Sequence, residues 1–84
     1  MKAYEAIFAR EALDTLLRLP RRQRQSILDL TAKIAADPQK PPHLNFQLVG
    51  GESLSGYVAG HWIVWGISDH AAREWRVVKL EFVR

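Results

Sequence analysis

Cysteine is absent from this 84-residue sequence, so neither a disulfide framework nor a thiolate metal site is open to it. Histidine is scarce. His43, His61 and His70 show no close spacing, which argues against a zinc site. No apolar run approaches the ~18 residues that a membrane span requires, and the first residues lack the pattern of a secretory signal. Internal repeats and low-complexity tracts are missing as well. What remains is one small domain, near the lower limit of what a single core supports without staples. A cytoplasmic protein with no cofactor and no membrane partner is the expectation.

The net charge of +3 is unevenly placed. Residues 1–40 hold eight Lys/Arg against five Asp/Glu, and residues 41–84 hold four against four. The whole excess lies in the first half, where Arg21, Arg22 and Arg24 fall within four positions. Such a balance favours anionic partners, nucleic acid or an acidic protein segment, without choosing between them.

Periodicity divides the chain. "KAYEAIF" alternates and reads as a short strand, with Tyr4, Ala6 and Phe8 on one side and Glu5 and Ile7 on the other. From Ala9 the spacing becomes helical, with Ala12, Leu13, Leu16 and Leu17 on one stripe. Pro20 interrupts this helix and suits the first turn of a second one, Arg21 to Ala36, which Asp37-Pro38 stops. Ile27, Leu28, Leu30, Ala32, Ile34 and Ala35 supply its apolar face. "PQKPPH" is a stiff loop. Four strands follow: "LNFQLV", a primed turn at Gly50-Gly51, "ESLSGYVA", a turn at Gly60-His61, "WIVWGIS", and "EWRVVKLEFV" after the turn "DHAAR". The predicted fold is a single α+β domain over residues 1–84. It comprises an N-terminal strand, a helix hairpin on one face, and a four-stranded antiparallel meander, in the order β-α-α-β-β-β-β.

Uninterrupted alternation assigns the faces. Val78, Leu80 and Phe82 are expected inward with Ile63, Trp65 and Ile67. Trp62, Val64, Trp75, Val77, Lys79 and Glu81 would then occupy the face without helices. A patch so apolar on a single domain points to a partner.

The strand into "F…EALDTLLRLP", the helix "RQRQSILDLTAKIAADP", the pair "LVGGESLSGYVAGHWIVWGI" and the closing "WRVVKLEFVR" together resemble the RelE/ParE superfamily. These are toxins of bacterial type II toxin–antitoxin systems. The resemblance covers almost the whole chain and implies a cognate antitoxin as partner. It implies one of two activities on this scaffold. RelE-like members cut mRNA on the ribosome without a metal, driving the ribose 2′-OH onto the adjacent phosphate. ParE-like members poison DNA gyrase and are not nucleases. An inactive relative that only binds the antitoxin is the third possibility.

The nuclease route needs a base, cations around the phosphate and an acid for the leaving oxygen. Of the groups that the resemblance implies, Arg84 matches the cationic position of the last strand. Ser53 and Ser55 stand at the second-strand polar positions, Trp62 at the central-strand arginine position, and no residue matches a tail tyrosine. His61 at a strand turn, with Lys79 and Glu81 on the last strand, are the available substitutes for acid, clamp and base. The candidate catalytic set is therefore Arg84, His61, Lys79 and Glu81, with no metal. Trp62, Val64 and Trp75, with Arg21, Arg22 and Arg24 at the head of the second helix, are the candidate RNA- or antitoxin-binding residues. His43 and His70 are assigned to solvent.

Overall fold

A computed structural model describes residues 4–37, 41–47 and 53–84. The predicted Gly50-Gly51 turn and Pro38 of the stiff loop lie outside the described residues. The elements are β1 (Glu5–Phe8), α1 (Arg10–Leu17), α2 (Arg21–Ala36), β2 (Leu44–Gln47), β3 (Ser53–Ala59), β4 (Trp62–Asp69) and β5 (Glu74–Phe82). This is the predicted α+β order. The strands form one mixed sheet of five, ordered β1-β5-β4-β3-β2. Strands β2 to β5 are an antiparallel meander, and β1 joins the edge of the last strand in parallel.

Both helices pack on the same side of the sheet, α1 against β5 and α2 against β1, β3 and β5. Ala12 and Leu16 from α1 meet Ile27 and Ile34 from α2 over Tyr57, Val64, Trp75, Val77 and Leu80. The helical spacing of these residues puts them on one stripe per helix, which is why short helices suffice. Thr31 is buried between them and donates its hydroxyl to the Leu28 carbonyl at 2.9 Å, so its polar atom is not stranded. Leu28 and Ala32, expected in the apolar face of α2, are exposed instead.

The assignment of sheet faces is corrected by one irregularity. Trp65 pairs with Lys79, but Gly66 pairs with Val77, so Val78 is an extra residue on β5. A bulge resets the side-chain alternation of the strand that carries it. Trp75 and Val77 consequently share the helix side with Leu80. Their partners Val64 and Gly66, with Trp62 opposite Phe82, turn the same way. Val64 and Val77 are fully buried and Trp75 is 2% exposed. The side without helices carries Ile63, Trp65 and Ile67 on β4, with Arg76, Lys79 and Glu81 on β5 opposite them.

Two glycines make room for the indoles. A Cβ at Gly66 would stand 2.4 Å from the Trp75 ring on the helix side, and one at Gly56 would stand 2.7 Å from the Trp65 ring on the other side. Each tryptophan thus lies flat over a strand with no side chain in the way. Phe46 on β2 completes the second contact, its ring centroid 5.5 Å from that of Trp65.

Two outcomes follow. Gly66→Ala forces the Trp75 ring against rigid backbone and should lower unfolding free energy by roughly 1–3 kcal/mol, read by urea denaturation. The buried Tyr57 phenol has its pKa raised above 10.0, by desolvation first and by the Asp37 carboxylate second. Stability should therefore be intact below the unfolded value. It should fall as pH climbs past it, because only the unfolded chain ionises readily. A Tyr57→Phe protein should lose less stability across that alkaline range.

Candidate functional site

The sheet ends where β3 turns into β4. Gly60 adopts φ 61°, a left-handed conformation that glycine takes without strain, and His61 follows it at the tip of the turn. The Val83 amide donates to the His61 carbonyl at 2.7 Å, which ties the end of β5 to the turn. His61 and Arg84 thereby line one hollow of about 220 Å³, together with Val58, Gly60, Trp62, Ile63 and Val83. Two of the four candidate catalytic residues are thus brought together.

The other two stand elsewhere on β5. Lys79 and Glu81 project from the helix-free side, exposed, opposite Trp65 and Ile63. Glu81 accepts a hydrogen bond from the Trp65 indole at 2.9 Å, so its carboxylate is oriented by an aromatic neighbour. Among the described residues no carboxylate lies within ion-pair distance of Lys79. The pair that does form is Arg76 with Glu74, at 3.7 Å. Ser53 and Ser55 alternate with Leu54 and share the parity of Tyr57, which places them toward the helix side.

Of the candidate binding residues, Val64 and Trp75 are buried in the core. For Trp75 the reason is the Val78 bulge; Val64 pairs with Leu80, on the other side of the bulge, and turns inward with it. Trp62 also turns to the helix side but is only half-buried. Its indole donates to the Gln23 side chain at 3.2 Å, and its ring meets Phe82 edge-on at 5.1 Å. It lines a second, larger hollow of about 370 Å³ with Arg22, Gln23, Ser26 and Leu30 of α2, the β3–β4 turn and Phe82. Val58, Gly60, His61 and Trp62 border both hollows, so this groove and the smaller hollow adjoin at the turn. Arg22 therefore reaches the same end of the domain as His61 and Arg84. Arg21 and Arg24 occupy the same opening turn of α2.

Sequence reasoning missed the wall of this groove. Arg22, Ser26 and Leu30 recur at four-residue intervals and form a second stripe of α2 beside the core stripe. That stripe mixes a charge, a hydroxyl and a leucine, so it carries little hydropathy signal. Val58, 45% exposed, is the other residue that periodicity left unremarked, and Phe82, expected inward, turns to the helix side but is 52% exposed. The two loop histidines have structural partners. The Val58 amide donates to His43 Nδ1 at 2.8 Å, and the Tyr4 hydroxyl lies 2.6 Å from His70 Nδ1. Among the described residues no cluster of three or more His, Asp or Glu could hold a metal. No described helix is long and apolar enough to cross a membrane.

The architecture is that of RelE. A chain of the archaeal RelE–RelB complex from Pyrococcus horikoshii superposes with a TM-score of 0.80 at 14% identity, covering 96% of each chain. A chain of the RelBE2 toxin–antitoxin complex from Mycobacterium tuberculosis gives 0.78 at 18% identity, over 98% of this chain and 93% of that one. A chain of the intact Escherichia coli RelBE toxin–antitoxin complex gives 0.58 at 15% identity, over 98% and 99%. No protein-family model and no curated protein matches the sequence. The chain has the RelE-like α+β fold, kept at identities where little but the packing plan is shared.

Trp62 is the accessible indole, whereas Trp65 and Trp75 are 7% and 2% exposed. Acrylamide should quench the wild-type emission partly, and Trp62→Phe should remove most of the quenchable fraction. An unchanged quenching curve would place the accessible indole elsewhere.

Proposed function

We propose that this chain is the toxin of a type II toxin–antitoxin pair, held inactive by a cognate antitoxin, and that it acts as a metal-independent endoribonuclease on mRNA at the ribosome. The observation that carries the toxin reading is the full-length likeness to chains of RelE–RelB complexes, two of them described as toxin–antitoxin complexes. The nuclease reading rests on the hollow shared by His61 and Arg84.

The chemistry asked of that hollow is internal transesterification. The ribose 2′ oxygen attacks the adjacent phosphorus, the bond to the 5′ oxygen breaks, and the products are a cyclic phosphate and a free 5′-OH. The His61 ring has two nitrogens, one able to accept the 2′ proton and the other to return one to the leaving oxygen. Arg84 offers a planar fork of donors to the phosphate, whose charge grows at the transition state. Lys79, exposed on the helix-free side of β5 opposite Trp65, lies apart from that hollow. Glu81, bonded to Trp65, is better suited to holding that strand's geometry than to abstracting a proton.

A second reading has its own support. Ser53 and Ser55 turn toward the helix side and line neither hollow. Such a sparse set of acid and base groups also suits a toxin that works by binding a protein such as DNA gyrase. The two readings separate on expression in a bacterial host. Cleavage should yield mRNA fragments with 5′-OH ends while gyrase supercoiling stays intact, and His61→Ala should reduce the cutting by about 10²-fold or more. Intact mRNA with lost supercoiling would decide for the binder. Growth unaffected by expression would remove the toxin reading itself.

A further inference from the structure

The two edges of the sheet differ. At β1 the Tyr4 amide donates to the Ala35 carbonyl of α2 at 2.7 Å, so the second helix closes part of that edge. At β2 all four residues, Leu44–Gln47, are exposed. An edge strand ordinarily carries a charge, a proline or a bulge that discourages another strand from adding to it. Residues 41–47 include no Lys, Arg, Asp or Glu, and β2 pairs with β3 in an unbroken register. Pro41 and Pro42 stand ahead of the strand, where they keep it short without blocking it.

The backbone direction along β2 follows from its neighbour. The Val58 amide points toward β2, where it donates to His43 Nδ1 at 2.8 Å. Direction alternates along a strand, so Leu54 and Gly56 point the same way and bond their partners Phe46 and Leu44. The amide and carbonyl of Asn45 consequently face outward, away from β3. Side chains alternate too. Leu44 and Phe46, 36% and 56% exposed, lie on the helix-free side with Trp65, and Asn45 lies on the other side with Ser55. About Asn45 the strand reads the same both ways: apolar residue, amide, apolar residue. Such a strand is its own complement.

We propose that β2 pairs antiparallel with β2 of a second copy of this chain, about a twofold axis beside Asn45. Asn45 then faces its counterpart and exchanges both backbone hydrogen bonds with it, while Leu44 and Phe46 face one another twice on the helix-free side. The two five-stranded sheets become one, with all helices on one side. Both β2 edges are consumed, so assembly closes at two. The twofold superposes apolar on apolar and amide on amide, and chains of net charge +3 meet where neither carries a charge. Those two matches select a second copy over an unrelated strand. The contact is small, so the dissociation constant should be on the order of 10⁻⁴ M. Residues 44–47 line neither hollow, so the pairing goes beyond the toxin reading and stands apart from it.

Sedimentation equilibrium of the full chain between about 10 μM and 1 mM tests the pairing, with amide exchange measured at both limits. A monomer–dimer equilibrium should appear. The Asn45 amide should gain about fourfold protection at the higher concentration, with smaller changes at Leu44 and Phe46, which already bond β3. Asn45→Lys places like charges directly opposite each other, and so does Asn45→Asp. Each alone should weaken association by about fivefold or more, and an equimolar mixture of the two should restore it. That rescue separates a broken interface from a broken fold. A chain monomeric at 1 mM would overturn the proposal and leave the edge to a strand of another protein. A dimer indifferent to both substitutions, a mixture no tighter than either variant, or species larger than a dimer would overturn it equally. None of these readouts involves mRNA cleavage or an antitoxin.

Discussion

One inserted residue, Val78, decides what each face of this sheet presents. With the bulge between the Trp65 and Gly66 pairings, Trp75, Val77 and Leu80 all turn toward the helices and form a continuous apolar floor. Without it, Leu80 and Val77 would sit on opposite faces. Part of the apolar surface that the chain must bury would then lie on the side without helices. For a domain of this size, where buried area is scarce, that difference separates a folded chain from an unstable one. The bulge is thus the constraint from which the core, the exposed charges and the groove follow.

The indoles express the same constraint. Trp75 lies over Gly66 on the helix side and Trp65 over Gly56 on the other, each filling the space where a side chain is missing from the neighbouring strand. An aromatic ring laid over glycine restores packing that glycine alone would forfeit. The arrangement anchors both faces at the middle of the sheet and leaves the end, at the β3–β4 turn, comparatively open. There Trp62 is only half-buried and Phe82 is mostly uncovered. The rigid centre and the open end together place His61 and Arg84 around one hollow.

Much of this was readable from residue order. Helical spacing located α1 and α2, Pro20 and Asp37-Pro38 marked their ends, and alternation with Gly60-His61 and "DHAAR" gave three strands close to their observed limits. The parallel pairing of β1 with β5 is a contact between the two ends of the chain and leaves no local trace. The face assignment failed for a definite reason. Alternation is a period of two, and a bulge shifts its phase without altering composition, so every residue upstream of Val78 on β5 was assigned to the wrong side. On β4, Ile63, Trp65 and Ile67 looked more apolar than Trp62, Val64 and Gly66. What hydropathy could not convey is that Trp65 finds its own cover from Gly56, Phe46 and Glu81 on the far side. Val64 and Trp75 therefore moved from the candidate interface into the core, and Trp62 from an open face into a groove.

The relocation of Trp62 changes what an interaction surface on this fold should look like. An indole on the helix-free sheet would offer a flat face, suited to bases and apolar partners alike, and the basic head of α2 would be remote from it. In the groove the indole is a wall, and the arginines at the start of α2 become its rim. One helix stripe, Arg22, Ser26 and Leu30, then meets one strand turn, and charge and apolar surface lie side by side rather than on opposite faces. That juxtaposition selects against a partner that is only acidic, which would leave the apolar wall wet. It selects equally against one that is only apolar, which would bury the guanidinium of Arg22 without a counter-charge. A segment carrying both properties at helical spacing meets both conditions at once.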